Sequence, residues 1–307
     1  MTVSQSYNIF YKKSSSNSIS KISSSTMLEI SVIIPTFNRE QELERALLSV
    51  AGQSAPCAEI IVIDDGSTDK TKEMVDLITT EQNLPLRYFY QQNRGVSAAR
   101  NAGIRKSRYP IIAFLDSDDH FHKKKLGLQY KGLIENSAFL ISHTREKWLR
   151  RGNHLNQKKK HQPGNGDIFS HCLKICAVGM STVMVRRELF DLVGYFNEKY
   201  HCCEDYDLWL RTSCRFPFLL INEALTVKEG GREDQLSQKY RVGMDKFRIA
   251  AMENLLRSDY LSEKQRQITL QEFRKKCNIY GNGCLKHGKI AEGNQYLNMA
   301  GLALKTL

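Results

Sequence analysis

The side chains best suited to chemistry crowd into one stretch, YPIIAFLDSDDHF, Tyr109 to Phe121, where an apolar run passes straight into Asp116, Asp118 and Asp119. Two carboxylates about 4 Å apart repel by roughly 1 kcal/mol in bulk water and about 4 kcal/mol at a protein-surface dielectric. A bound Mg²⁺ or Mn²⁺ would offset that repulsion, because these hard cations accept one or two carboxylates together with substrate phosphates. The alternative is structural: Asp118 and Asp119 cap a helix beginning near Lys123, a position that Asp favours.

The elements that must carry these residues follow from the pattern beginning at Glu29. EISVIIP, EIIVID, LRYFYQ and YPIIAFLD have the apolar content of strands, and REQELERALLSVAGQ, DKTKEMVDLITT and GVSAARNAGIRKS have helical spacing. Strands that are apolar throughout and alternate with helices imply an α/β fold with a mostly parallel sheet covered on both faces. Ligands bind such sheets at the carboxyl ends of the strands. Four polar strand ends, PTFNRE, DDGSTD, QQNRG and DSDDHF, therefore emerge on one edge, as suits a ligand rich in hydroxyls and phosphates that brings a cation. Beyond Lys123 the pattern is less regular. MSTVMVRRELFDLVGYF reads as strand then helix, EDYDLWLRTSC as a helix opened by acids, and FPFLLI and ALTVKEGG as an apolar segment and a separate short strand. The run from His154 to Asp167 is a basic loop. The chain from about Gln238 is helical in pattern, with the small-residue spacing of a helix hairpin near its end.

Bulk properties narrow the class. A chain of 307 residues, 41% hydrophobic and 25% charged, can bury a large core. It has no apolar run of about 18 residues and no secretory h-region, so a cytoplasmic location is expected. The net charge of +12 points to an anionic partner or to a solvated basic surface. The eight cysteines include no C-x-x-C pair, which fits reduced thiols better than a zinc ribbon or a disulfide scaffold. Three regions are expected: a Ser-rich tail over 1–27, a catalytic domain over 28–235 and a helical extension over 236–307.

ISVIIPTFNRE, EIIVIDDGSTDKT, NRGVSAARNAGI, IIAFLDSDD and CCEDYDLWLR stand in the order and approximate separations of glycosyltransferase family 2, the inverting transferases of GT-A fold that use nucleotide-activated sugars. The resemblance covers Glu29 to Gly231, about two thirds of the chain. It implies a nucleotide-sugar half over 28–122 and an acceptor half over 123–235. Pro35, Thr36, Asn38, Arg39 and Glu40 would line the nucleotide pocket, with Asp64, Asp65 and Gly66 at the base or ribose. Arg94, Gly95, Arg100 and Asn101 would lie beside the ribose and phosphates. Asp116 and Ser117 would face the nucleotide, and Asp118, with Asp116, would hold Mn²⁺ or Mg²⁺ against the diphosphate. Inversion needs a base to take the acceptor proton. The resemblance assigns that role to Asp205 over Asp207, with Glu204 and Trp209 on the acceptor side.

Relatives often add a histidine metal ligand after the acidic pair, and none lies between Asp205 and Asp234. The family implies a nucleotide-diphospho-sugar donor, with UDP-sugar the default, and a glycan or lipid-linked acceptor. A cell-surface polysaccharide or lipopolysaccharide pathway would be the setting, with peripheral contact at the anionic inner membrane face. The rivals are a sugar nucleotidyltransferase, whose Gly-rich phosphate loop PTFNRE lacks, and a non-catalytic basic binding protein. No specific nucleic acid is expected, since no recognition helix or aromatic RNA-binding pair is present.

Overall fold

The computed structural model describes residues 27–232 and 234–302. The expected Ser-rich tail over 1–27 lies, Met27 excepted, outside the described residues. The strands β1 (Leu28–Thr36), β2 (Cys57–Asp64), β3 (Leu86–Tyr90) and β4 (Ile111–Phe114) pair in parallel in the spatial order β3-β2-β1-β4. Their connections are the helices α1 (Glu40–Ala51), α2 (Thr71–Glu81) and α3 (Val96–Lys106). The unbroken apolar runs reflect burial on both faces. Val32, Ile34, Ile60 and Val62 pack with Leu43, Leu47, Val75 and Ile78 of α1 and α2, whereas Ile33, Ile61 and Ile63 pack with Ala99 and Ile104 of α3. At Gly103, α3 lies so close to β1 that an added Cβ would meet Ile33 Cγ2 at 2.4 Å.

The sheet continues through β5 (His120–Phe121), β6 (Ile141–Arg150), β7 (Asn153–Leu155), β8 (Met184–Arg186) and β9 (Leu219–Gly230). Beyond β4 the order is β8-β6-β9-β5, with β7 paired to β6, which makes nine strands. Here β6 and β9 run parallel, while the β4–β8, β8–β6 and β9–β5 pairs are antiparallel. The helices of this half are α4 (Lys125–Glu135), α5 (Phe169–Lys174), α6 (Glu188–Val193) and α7 (Glu204–Ser213). FPFLLI and ALTVKEGG do not form separate segments. The residues from Leu219 onward fuse into the twelve-residue β9, because register irregularities opposite Thr144–Glu146 let one bent strand follow β6 along its length.

The carboxyl-terminal region is helical: α8 (Leu236–Lys239), α9 (Met244–Leu256), α10 (Glu263–Lys286) and α11 (Ile290–Leu302). A capping box of Ser262 and Gln265 opens α10. The small-residue spacing becomes a close helix contact, since a Cβ on Gly281 would lie 2.9 Å from the Gly293 carbonyl. Met252, Leu255, Leu270, Phe273 and Cys277 share one hydrophobic cluster with Leu208 and Trp209, so the extension packs on α7. No helix among the described residues is long and apolar enough to cross a membrane.

The basic loop is tied back onto β6. His143 Nε2 donates to the Gly164 carbonyl at 2.8 Å, Gln157 Nε2 donates to the Glu146 carbonyl at 3.2 Å, and the Trp148 and His161 rings lie 5.1 Å apart. Burial pushes the His143 imidazolium down to about 4, against the bond to Gly164. Its stabilisation is then complete above the unfolded-state value of about 6.5 and is lost as pH falls towards about 4, on the order of 3 kcal/mol. Thermal unfolding across this range should show a decline that is flattened in His143→Gln. Separately, Gly103→Ala should cost about 1–3 kcal/mol in urea unfolding, because the methyl has no room against Ile33.

Candidate active site

The ends of β1, β2 and β3 are knitted together by the polar residues that follow them. Asp64 accepts from Ser67 N at 2.7 Å and from the Tyr88 hydroxyl at 2.5 Å. Asp65 accepts from Gln91 Nε2 at 2.7 Å, Arg94 N at 2.9 Å and Gly95 N at 2.7 Å, which holds the Asn93–Gly95 turn against β2. Gly66 has φ +94°, and a Cβ there would meet Asn93 N at 2.9 Å, so the turn requires glycine. Asn38, with φ +50°, donates its N–H to Ser67 Oγ and accepts from Thr68 N, joining the β1 and β2 ends. Pro35 and Thr36 close β1, and the Thr36 hydroxyl is buried without a partner among the described residues. Glu40 opens α1, its N–H 3.4 Å from Asp69. Arg94 is exposed and pairs with Glu198.

Each aspartate at the end of β4 has its own partners. Asp116 Oδ1 receives Arg100 Nη2 at 2.6 Å, and Arg100 Nη1 reaches Glu204 Oε1 at 2.5 Å. Burial works against the charge on Arg100, and Asp116 and Glu204 more than restore it. Asp118 Oδ2 receives Arg39 Nη1 at 2.9 Å, Arg232 Nη2 at 3.0 Å and Gln235 Nε2 at 3.0 Å. Burial alone would raise the Asp118 carboxyl, but Arg39, Gln235 and Arg232 hold it below the ordinary carboxylate range. Asp119 accepts from the Ser181 hydroxyl at 2.7 Å and from Glu229 N at 3.1 Å, while burial and the neighbouring Asp118 push its carboxyl upward. Ser117 is buried between them.

These contacts correct the capping alternative. The chain first enters β5, and α4 has Lys124 at its N-cap with no side-chain cap, so neither Asp118 nor Asp119 caps it. The metal assignment stands only in reduced form. The second oxygen of Asp116 and of Asp118 has no hydrogen bond among the described residues, which suits a cation completed by phosphate oxygens. Among the described residues no group of three or more His, Cys, Asp or Glu side chains is placed to hold a metal.

On the other side, α7 begins with Glu204, Asp205 and Asp207, charges that favour a helix N-terminus. Asp205 Oδ2 lies 3.0 Å from Cys176 Sγ, which donates. Burial and Asp205 push that thiol well up, so it stays protonated. Asp207 is engaged by Arg211 at 2.7 Å, which also holds the carbonyls of Val193 and Tyr195 and so shapes a turn. Two residues expected near ligands do not face them. Trp209 is buried in the core, donates to the Val178 carbonyl at 3.0 Å and packs edge-on to Phe218, so it offers no surface to a sugar. Asn101 is buried with its amide spent on the backbone of Phe196 and on Glu198.

Sequence reasoning missed Ser181, Cys176, Lys228, Arg232 and Gln235. For Lys228 a signal existed, a lysine inside the apolar strand ALTVKEGG. Arg232 and Gln235 reach Asp118 across more than a hundred residues, and nothing local announces them. A cleft of about 270 Å³ lies beside this contact, lined by Gln41, Glu42, Arg45, Arg151, Glu229 and Arg232 among others.

Arg100→Leu would leave Glu204 buried and Asp116 largely so, both without counter-charge. The expected loss is about 3–5 kcal/mol in urea unfolding. Arg100→Lys should lose less, since one ammonium can keep only part of the bridge; equal unfolding midpoints for Arg100→Leu and wild type would refute the bridge as a stabilising element.

The family model described as Glycosyl transferase family 2 matches residues 31–194. An uncharacterized glycosyltransferase of Rickettsia felis is 33% identical over 244 residues, covering 76% of this chain and 38% of its own length. One from Haemophilus influenzae is 30% identical over 228 residues, covering 72% of this chain and 86% of its own. A Bacillus subtilis protein named for teichuronic acid biosynthesis, TuaG, is 31% identical over 159 residues, 52% of this chain and 62% of its own. The chain thus spans well under half the length of the Rickettsia felis and Rickettsia conorii relatives. Among solved structures, S. aureus TarS with UDP-GlcNAc superposes with a TM-score of 0.68 at 21% identity, over 88% of this chain and 79% of that one. Mannosyltransferase PcManGT of Pyrobaculum calidifontis with GDP-Man and Mn²⁺ gives 0.59 at 15% identity, over 91% and 81%. At those identities the two structures speak to the fold, which is GT-A.

Proposed function

The chain belongs to glycosyl transferase family 2, and we propose that it transfers a sugar, with inversion, from a nucleotide-diphospho-sugar to an acceptor hydroxyl. The observation that carries this reading is the Arg100 bridge, which ties Asp116 at the strand ends to Glu204, next to Asp205, on α7. Donor-side and acceptor-side acids thus share one cleft edge.

The nucleotide lies against the ends of β1 and β2, where Pro35, Thr36, Asn38, Asp65 and Gly66 form the floor. Arg39, Glu40, Asp64, Arg94, Gly95 and Ser117 shape its surroundings. Asp116 and Asp118 would hold Mn²⁺ or Mg²⁺, which supplies positive charge against the leaving diphosphate when bound. Asp205 takes the acceptor hydroxyl proton as that oxygen bonds the anomeric carbon and the bond to the diphosphate oxygen breaks on the opposite face. The thiol of Cys176 orients its carboxylate.

UDP-sugar is the first donor to test, supported by the UDP-GlcNAc complex of TarS, and Mn²⁺ is supported by the PcManGT complex. A glycan or lipid-linked acceptor of a cell-surface polysaccharide is supported by the name of TuaG. The +12 charge suits cytoplasmic work at an anionic inner membrane face. The catalytic region is taken as 28–235, with the helices of 236–302 as a buttress to α7.

Incubation with UDP- and GDP-sugars, Mn²⁺ and a panel of glycan acceptors should release nucleoside diphosphate. Asp205→Asn should lower kcat at least about 100-fold with little change in donor KM, and Asp118→Asn should raise the Mn²⁺ concentration needed for half-maximal activity. Full activity of Asp205→Asn would sink its assignment as the base, and no turnover of any donor would sink the reading as a whole.

A further inference from the structure

The bases around the site differ in how far they are committed. Arg100 spends both Nη atoms on Asp116 and Glu204. Arg39 is shared between Asp118 and Asp234, and Arg232 between Glu42, Asp118 and Asp234. Lys228 is different. Along β9, Thr226 and Lys228 share a face by strand alternation. The Thr226 hydroxyl donates to the Ser181 carbonyl at 3.0 Å, and the Ser181 hydroxyl accepts from Asp116 N at 3.0 Å and donates to Asp119. Lys228 therefore faces the same polar interior. Glu146, Asp119, Asp116 and Asp205 all attract its ammonium. Yet it forms no hydrogen bond or ion pair with any described residue.

A half-buried ammonium with three donors and no partner is poised for a ligand oxygen. The ligand must be an anion able to enter a neighbourhood where Asp116, Asp118, Asp119, Asp205, Glu146 and Glu204 outnumber Arg39, Arg100, Arg232 and Lys228. Resting on the donor reading above, we infer that Lys228 is a further catalytic residue, whose ammonium binds the non-bridging oxygens of the donor's sugar-side phosphate. The charge that grows on that phosphate as its oxygen leaves the anomeric carbon is met by an ammonium already in place, so the contact strengthens towards the transition state. Lys228 would add to the charge that a cation held by Asp116 and Asp118 would supply against the diphosphate, and the surrounding acids favour the charged amine.

The test compares nucleoside diphosphate with monophosphate. Calorimetry with UDP and UMP, and with GDP and GMP, at fixed Mg²⁺ on wild type, Lys228→Met, Lys228→Gln and Lys228→Arg reads the phosphate contact apart from the base. The expected result is a loss of diphosphate affinity of at least about 10-fold in the Met and Gln variants, with monophosphate affinity unchanged and an intermediate value for Arg. Retained monophosphate binding also reports that the fold is intact. Equal diphosphate affinity in wild type and Lys228→Met overturns the inference alone, as does an equal loss for diphosphate and monophosphate, which would mark a merely structural role. Wild type that binds neither UDP nor GDP overturns the donor reading and this inference with it.

Discussion

One buried guanidinium holds the two sides of the site in register. Arg100 is 3% exposed, lies 5.5 Å over the Phe196 ring and divides its two Nη atoms between the last turn of the parallel sheet and the first turn of α7. The bridge offsets the cost of burying Glu204 and of burying the arginine itself. Because α3 is clamped to β1 at Gly103, the guanidinium has a rigid base. The separation between the acids at the end of β4 and those opening α7 is therefore set by packing rather than by loops.

The crowding of three aspartates is resolved by dividing the counter-charge. Asp116 is matched by α3, Asp118 by the start of α1 and the segment after β9, and Asp119 by a hydroxyl, a backbone N–H and the field of Lys228. Each partner comes from a different part of the chain, so the acids are stabilised only when the whole domain is folded.

The first half of the fold was legible because its strands are buried on both faces, and that condition writes unbroken apolar runs such as EIIVID into the local sequence. The acids at the strand ends were legible for the same reason: each marks where the apolar run stops. The second half was not, since β8 has three residues and β9 is bent, so neither announces its partners. Trp209 shows the limit of composition, because LWL reads alike for a core helix and for a sugar platform, and only its bond to Val178 decides. A capping role stood open as the alternative for Asp118 and Asp119 because a helix follows nearby, whereas most of their partners lie far along the chain.

The irregularity in β9 has a consequence for how this domain can vary. Ser142 pairs with Leu219, but Glu146 pairs with Thr226, so the pairing offset grows by three residues between the two halves of the strand. An odd offset reverses the phase of the pleat. It lets Leu219 and Ile221 at the start of β9 face Gly132 of α4 while putting Lys228, rather than Val227 or Glu229, on the face of Thr226. A single-residue insertion or deletion between Ile221 and Thr226 would exchange those faces without touching any residue at the site. The spacing of this stretch is thus a hidden part of its chemistry, and drift in length there should be tolerated less than drift in identity.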